Sequence, residues 1–192
     1  MRLNGKKSIL LLSGVGIASS IIAASLGGWG QTAPKENAKW SLRAPNGIQF
    51  GLIKGYERWQ VVAMHYRPDM KEMRYILANP IAVQAYHRGI PRNGKAFPNG
   101  AILVKIGYSL KPIDAFPNAI EPNVLKRVEF MVRDPKTFKN TGGWGFARFV
   151  YNQTTKTYTP YGKNAGFAQE CFNCHAIVKK QDFVFTNYIS KG

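Results

Sequence analysis

Cysteine and histidine are scarce in this sequence, with two Cys and three His among 192 residues. A structural zinc site takes four such ligands at short, regular spacings. The two histidines that stand apart from the cysteines, His65 and His87, lie far upstream at no spacing typical of metal ligands. The sequence therefore argues against a zinc protein, in which the cysteines would form half of the site.

Charge is absent from residues 8–30, which follow a short basic stretch. Residues 1–30 are therefore predicted to be an export segment. The small residues at 23–25 favour cleavage as a signal peptide, but about twenty uncharged residues can also span a bilayer as an uncleaved anchor. Either outcome places the domain in the periplasm, soluble after cleavage or anchored to the inner membrane by residues 8–30.

Internal repeats and a second block of distinct composition are also absent. A single domain of about 160 residues is therefore expected after the export segment, enough for one core. Residues 31–54 are rich in Pro, Gly, Lys and Asn, which predicts an irregular leader or tether. The folded domain is expected over residues 55–192.

Acidic residues are few, since 10 Asp and Glu stand against 27 Lys and Arg and give a formal net charge of +17. Because the lysines are spread along the chain, the excess is interpreted first as a solvated surface that keeps the protein soluble. The functional alternative is docking to an acidic redox partner or to anionic lipid headgroups. Nucleic acid is not expected as a partner of an exported protein.

The two cysteines stand together in the motif Cys-x-x-Cys-His, formed by Cys171, Cys174 and His175. This is the attachment sequence of a c-type haem, because thiols at this spacing can add to the two vinyl groups of one porphyrin. The adjacent histidine is then the axial ligand of the iron. One haem c per chain is therefore predicted, with these three residues binding it and His175 binding the metal.

A disulfide between Cys171 and Cys174, redox-active or plain, is the main alternative. A thioredoxin-like site usually lies at a helix start directly after a strand, whereas this motif lies near the C-terminus after Gly162 and Gly166. The export segment agrees with the haem interpretation, because bacteria attach c-type haem on the far side of the cytoplasmic membrane.

Alternating apolar and polar residues predict a mainly antiparallel β-structure. One short helix is predicted at residues 80–88, with Asn79 as its N-cap and Gly89 at its end. The predicted strands are residues 59–66, 73–77, 101–110, 127–133, 142–151 and a closing strand at 182–188. The expected fold class is α+β and mainly β, an antiparallel sheet with a few short helices and a covalently bound haem near the C-terminus. Ordinary c-type electron carriers are instead helical, with the motif near the N-terminus.

Five short motifs occur in order along the exported domain. They are Phe97-Pro98-Asn99-Gly100 leading into the strand of Lys105, residues 128–134, residues 142–145, residues 170–175 and residues 182–186. Together they resemble the cytochrome P-460 family. The resemblance implies a small β-sheet haem protein, commonly a homodimer, with a five-coordinate iron that is open on its distal side.

The resemblance also implies roles for Lys105 and Glu129. Lys105 matches the lysine that is covalently joined to the porphyrin edge in the hydroxylamine-oxidising members, and Glu129 matches their distal glutamate. A joined amine must first be neutral, which burial favours, and a glutamate near the iron can act as general base. The simpler interpretation is that both residues face solvent from a one-sided sheet, with Glu129 paired to an arginine.

The sequence departs from the family pattern between Lys105 and Glu129, where the segment is shorter than in the hydroxylamine-oxidising members. It carries three prolines, Pro112, Pro117 and Pro122. The shape of the distal pocket is therefore the part of the family pattern that the sequence does not predict.

Methionine is the residue type that could close the sixth position of the iron, because a thioether there would make an electron-transfer haem. The candidates are Met64, Met73 and Met131.

The leading functional hypothesis is an exported mono-haem cytochrome that binds or oxidises small nitrogen species such as hydroxylamine and nitric oxide. If it is an enzyme, it is a hydroxylamine-oxidising haem oxidoreductase with Lys105 and Glu129 as catalytic residues. The alternative is a non-catalytic gas-binding protein similar to cytochrome c′-beta, in which Lys105 has no catalytic part. An electron-transfer cytochrome with methionine as the sixth ligand is a third interpretation.

Overall fold

One antiparallel sheet organises the chain in a computed structural model that describes residues 38–189. The predicted export segment, residues 1–30, lies outside the described residues. The strands are β1 (Gln60–Arg67), β2 (Glu72–Ala78), β3 (Ile102–Ile113), β4 (Phe116–Arg133), β5 (Trp144–Asn152) and β6 (Thr157–Pro160). Each strand pairs with the next along the chain. The predicted fold class, a mainly antiparallel β-structure with a few short helices, is confirmed.

Helices occupy a small part of the fold. The two α-helices among the described residues are α1 (Pro80–His87) and α2 (Phe167–His175). Short 3₁₀ helices cover Lys39–Ser41, Phe50–Ile53, Tyr56–Arg58, Pro68–Met70, Lys139–Thr141 and Ala176–Gln181. Within residues 38–189 none of the helices has the length and apolar character that a membrane crossing requires.

Helix α1 agrees with its sequence prediction. The Asn79 side chain accepts a hydrogen bond from the Ala82 backbone N–H at 3.0 Å, and Pro80 occupies the first helical position. This cap satisfies one of the amide donors left free at a helix start. Gly89 follows the helix at a φ of 82°, a left-handed conformation that ends the helix at little cost for glycine.

Strands β3 and β4 continue past their neighbours as a two-stranded ribbon. Strand β2 pairs with β3 only as far as Ser109, and β5 pairs with β4 only from Arg127. The pairing of β3 with β4 continues beyond these points through Lys111 and Glu121. Prolines are tolerated in the ribbon because its outer edges carry no further strand among the described residues. The sequence pattern missed this extension because both faces of the ribbon are exposed.

The predicted closing strand at 182–188 is wrong. This segment is a turn followed by extended chain without strand pairing. Asp182 and Phe183 have φ values of 48° and 63°, left-handed conformations that break a strand. Strand β6 and helix α2 were not predicted, since the first is short and the second carries few apolar residues.

The two faces of the sheet bury different partners. Alternate residues of each strand point to opposite faces. One face packs against residues 38–58, with Phe50 stacked on Phe149 at a ring-centroid distance of 4.4 Å. The other face, which carries Met131 and Phe146, packs against both α-helices and the C-terminal segment. We call the second the helical face.

The described part of the predicted leader packs onto the sheet. Its backbone is irregular, with 3₁₀ turns and one isolated bridge between Arg43 and Gln49. Phe50 and Ile53 within it are fully buried. Burial of such side chains stabilises a fold by about 1.5–3 kcal/mol each, so residues 38–54 contribute to the core.

We expect Phe50→Ala to destabilise the protein by about 3–5 kcal/mol, because it leaves a cavity between the leader and Phe149. Chemical denaturation measures this change. Phe116→Ala is the matched control, since Phe116 is 60% exposed in the ribbon and its loss should cost less than about 0.5 kcal/mol. Equal effects of the two substitutions would show that residues 38–54 are not part of the core.

Candidate functional site

A cavity of about 1170 Å³ opens on the helical face of the sheet. It is larger than the roughly 300–1,000 Å³ typical of small-molecule sites. Its lining includes all the site residues predicted from the sequence: Lys105, Glu129, Cys171, Cys174 and His175. Strands β3 and β4 supply the first two, and helix α2 supplies the other three. The fold thus brings together residues that are as many as 70 positions apart, from 105 to 175.

Lys105 and Glu129 lie opposite each other because of the register of β3 and β4. The two residues are direct partners in the ladder, and side chains of such a pair emerge on the same face. The Lys105 Nζ and a Glu129 carboxylate oxygen are 2.9 Å apart. The predicted solvent-facing position of Lys105 is therefore not observed, since the side chain points into the cavity.

Two arginines share the Glu129 carboxylate with Lys105. Arg148, the partner of Glu129 on β5, places Nε 2.5 Å from Oε1, and Arg127 places Nε 3.1 Å from Oε2. Burial raises the pKa of Glu129, but the charges of Lys105 and Arg148 outweigh burial and lower this pKa to about 2. Glu129 is therefore ionised and weakly basic in this arrangement.

Lys105 experiences two opposing effects. Burial lowers the pKa of its amine, and the Glu129 carboxylate raises it, with burial the larger of the two. The pKa of Lys105 therefore lies below its ordinary value. A lysine in this environment loses its proton more readily than one on the surface, and a reactive amine must be in this neutral form.

A second buried carboxylate, Glu72, holds the neighbouring cations in place. Arg74 Nε and Arg127 Nη2 lie 2.6 and 2.7 Å from its Oε1, and Lys126 Nζ lies 3.3 Å from Oε2. Gly107 makes room for this carboxylate, since a Cβ at that position would lie 3.0 Å from Oε1. Arg127 bonds both Glu72 and Glu129, so it links the two charged groups.

Helix α2 carries the Cys-x-x-Cys-His motif at its C-terminal end. Cys171 and Cys174 are three residues apart and share one helix face. Cys171 is half-buried and packs against both core clusters, whereas Cys174 is exposed. Both thiols are free in this structure. Burial raises the pKa of the Cys171 thiol, which is opposite to the activated thiolate of a disulfide oxidoreductase.

His175 is held in one orientation by its surroundings. Its Nδ1 lies 2.7 Å from the Phe183 carbonyl oxygen, so Nδ1–H donates and Nε2 is the nitrogen left to bind a metal. The rings of Phe146 and Phe185 flank the imidazole at centroid distances of 5.1 and 5.0 Å. An imidazole fixed through its second nitrogen is the usual arrangement of a metal-binding histidine.

Comparison with known protein families agrees with this site. The family model described as Cytochrome P460 matches residues 53–186. This chain belongs to the cytochrome P460 family. The matched segment contains every site residue predicted from the sequence, and the resemblance stated from the five motifs is confirmed. No curated protein matches the chain.

The cytochrome P460 family implies a haem cofactor, and the residues present fit one. Two thiols and one oriented imidazole lie in the wall of a single large cavity. A c-type haem takes one axial nitrogen and two thioether bonds from such a motif. Within residues 38–189, no group of three or more His, Cys, Asp or Glu side chains is arranged to hold a bare metal ion.

The methionines named from the sequence differ in position. Met64 and Met131 line the cavity, but Met64 is 54% exposed and Met131 belongs to the core cluster of the helical face. Met73 alternates with Arg74 along β2 and so lies on the opposite face of the sheet.

The three prolines between Lys105 and Glu129 lie in the ribbon, away from the cavity lining.

Sequence reasoning missed the cations that surround the carboxylates. Arg127 has the same alternation as Glu129 on β4, so a place on the same face was readable from the sequence. Arg148 became a partner of Glu129 only through the β4–β5 register, which the sequence pattern does not fix. Glu72 gave no signal, because it lies just before the strand predicted at 73–77, between elements.

We expect the stability of the protein to depend on pH through Glu129. A carboxyl whose pKa is lowered on folding stabilises the fold above its unfolded pKa and loses this contribution as the pH falls through the folded pKa. The free energy of unfolding should therefore fall between pH 4.5 and about 2, and more steeply in the wild type than in Glu129→Gln. Denaturant titrations at several pH values measure the two slopes.

Glu121→Gln is the control for this comparison. Glu121 forms an exposed ion pair with Lys111 in the ribbon, so its loss should leave the slope close to that of the wild type. At neutral pH, Glu129→Gln should be the less stable variant, because three cations lose their buried partner. Equal slopes in the wild type and Glu129→Gln would contradict the assignment.

Proposed function

We propose that this protein is an exported cytochrome with one covalently attached haem c, which binds or oxidises small nitrogen species such as hydroxylamine and nitric oxide. One observation carries the proposal: the Lys105–Glu129 pair lies in the same cavity as Cys171, Cys174 and His175. A haem bound there supplies an iron that exchanges electrons and coordinates a small ligand. Family membership supports this class of chemistry.

Each residue of the motif has a distinct part in holding the cofactor. Cys171 and Cys174 would form the two thioether bonds to a bound haem, which their position on one helix face suits. His175 would bind the iron through Nε2, since its Nδ1–H is bonded to the Phe183 carbonyl.

Turnover of hydroxylamine depends on the charge of Lys105. While Lys105 is an ammonium, it holds the pKa of Glu129 low and Glu129 is a poor base. If the Lys105 amine gives up its proton to solvent, a change that its burial favours, Glu129 loses its strongest cationic neighbour. The pKa of Glu129 then rises, and its carboxylate is better suited to accept a proton from a nitrogen substrate. Neutralisation of Lys105 therefore makes Glu129 a stronger base.

A non-catalytic gas-binding protein is the second candidate. It is favoured by the ion pairs as they stand, because Lys105 is engaged as an ammonium and Glu129 is neutralised by three cations. In that state neither residue is a nucleophile or a base. Nitric oxide binding needs no proton transfer from the protein. An electron-transfer role is the weakest candidate, since Met64 is largely exposed and Met131 is packed in the core cluster of the helical face.

The sequence supports three further parts of the proposal: the location of the protein, its redox partner and its oligomeric state. Residues 1–30 direct the chain to the periplasm, where it is soluble after cleavage or tethered to the inner membrane. Oxidation of a substrate releases electrons, and the basic character of the chain suits an acidic redox partner that accepts them. The formal net charge is +17, of which three positive charges belong to residues 1–30. The family resemblance favours a homodimer.

Replacement of Lys105 by Leu tests the catalytic branch. We expect Lys105→Leu to keep the covalent haem but to lower hydroxylamine oxidation by about 100-fold or more, because the variant has no lysine nitrogen to join to the porphyrin edge. A wild type joined in this way should absorb at longer wavelength in its ferrous form than an ordinary haem c, and the variant should lose this red shift. Optical spectra and steady-state oxidation measure the two effects. Lys111→Leu, which removes an exposed lysine of the ribbon, should change neither.

Two outcomes separate the candidate functions. If Lys105→Leu leaves both the absorption and the activity intact, the catalytic role of Lys105 is wrong. If the wild type shows an ordinary five-coordinate spectrum and binds nitric oxide rapidly without oxidising hydroxylamine, the gas-binding candidate is correct.

A further inference from the structure

Several motif residues have no part in the proposed chemistry, yet the fold gathers them beside His175. They come from four separate segments of the chain. These residues are Phe97, Arg133, Gly142, Gly143, Trp144, Asp182 and Phe183. We call this set the proximal latch, because its member Phe183 bonds His175 through the backbone carbonyl and the other members contact Asp182, Phe183 or one another.

Asp182 is the centre of the proximal latch. Its carboxylate accepts a hydrogen bond from the Phe97 backbone N–H at 2.7 Å and lies 3.5 Å from Arg133 Nη2. Its backbone carbonyl accepts a hydrogen bond from Trp144 Nε1 at 2.8 Å. The Asp182 side chain is only 8% exposed. Phe97, Arg133 and Trp144 come from three separate parts of the chain, and all three hold Asp182. Polar groups of a buried residue are costly to leave unpaired.

Arg133 ties the same elements together. Its Nη1 donates to the Gly142 carbonyl at 2.5 Å, and its Nε donates to the Phe97 carbonyl at 3.3 Å. The guanidinium also lies over the Trp144 ring, 5.5 Å from the centroid. Arg133 therefore fixes Phe97 and Trp144, the two residues that donate hydrogen bonds to Asp182.

The two glycines make space for the proximal latch. Gly142 and Gly143 have φ values of 65° and 85°, which glycine adopts without a steric cost. A Cβ on Gly142 would overlap the Phe183 ring, and a Cβ on Gly143 would overlap the Arg133 guanidinium. Both positions therefore need glycine for backbone conformation and for room.

The consequence of these contacts is the orientation of the Phe183 carbonyl. Phe183 has a left-handed φ of 63°, a conformation that is unfavourable for a bulky residue and persists only when its surroundings impose it. Asp182 precedes it at a φ of 48° and is fixed by the bonds described above. This backbone turn directs the Phe183 carbonyl to the Nδ1–H of His175 at 2.7 Å.

We propose that the proximal latch positions the Phe183 carbonyl against His175 and thereby sets the electron-donating strength of the axial imidazole. Asp182 is the central positioning residue. A firm hydrogen bond from Nδ1–H gives the ring more imidazolate character, which strengthens its bond to iron and favours the oxidised metal. This inference rests on the proposed haem attachment but adds a set of residues that tunes the iron from outside the cavity.

Substitution of Asp182 tests the inference in the haem-loaded protein. We expect Asp182→Ala to lower the iron–histidine stretching frequency of the ferrous protein and to raise its reduction potential, because the Phe183 carbonyl is no longer held. Resonance Raman spectroscopy and a redox titration measure these shifts. The conservative variant Asp182→Asn should keep both values close to those of the wild type, since Asn tolerates the left-handed conformation and keeps an oxygen for the Phe97 N–H.

Asp114→Ala is the matched control, because Asp114 is exposed at the tip of the ribbon. It should leave both values unchanged. Trp144→Phe provides a second route if Asp182→Ala does not fold, since it removes the indole N–H bond to Asp182 and keeps an aromatic ring. It should shift both values in the same direction as Asp182→Ala.

The outcomes separate the inference from the proposed function. If the wild type carries haem but a folded Asp182→Ala or Trp144→Phe has an unchanged iron–histidine frequency and potential, the proximal latch is only structural and the inference is wrong. If the wild type takes up no covalent haem, the proposed function fails and the inference fails with it.

Discussion

The register between β3 and β4 is the constraint on which the site depends. It places Lys105 directly opposite Glu129, and a shift of either strand by one residue would turn the side chain of that strand to the other face of the sheet. The other face is filled by the leader and the aromatic core around Phe50, where unpaired charges would be strongly unfavourable. The register is therefore fixed by packing on one face, and the charged pair on the opposite face follows from it.

Charge balance in the cavity determines which chemistry the protein can perform. Buried carboxylates are tolerated here because each is surrounded by cations, and Arg127 bonds both of them. The same cations hold the pKa of Glu129 at about 2, which stabilises the fold but opposes a role as base. The proposed base role and the stability of the fold thus make opposite demands on one carboxylate. Loss of the charge on Lys105 is the event that would shift the balance towards proton transfer.

Much of the sheet was predictable because alternation of apolar and polar residues is a local property. The predicted strands from 59–66 to 142–151 all occur, with ends displaced by a few residues or extended into the ribbon. Residues 182–188 have the same apolar character, but side-chain donors hold their backbone in a turn, and no local pattern reports such distant partners. The candidate site shows the same division: motifs pointed to Lys105, Glu129 and the Cys-x-x-Cys-His residues, which line one cavity, whereas Arg148 needed the strand register.

The most direct test of the account is the intact mass of the purified wild-type protein under denaturing conditions, after expression in an export-competent host with haem maturation. We expect the mass of the chain plus one haem, which stays bound because Cys171 and Cys174 are joined to it. A chain mass without haem, with both thiols free or joined in a disulfide, would contradict it.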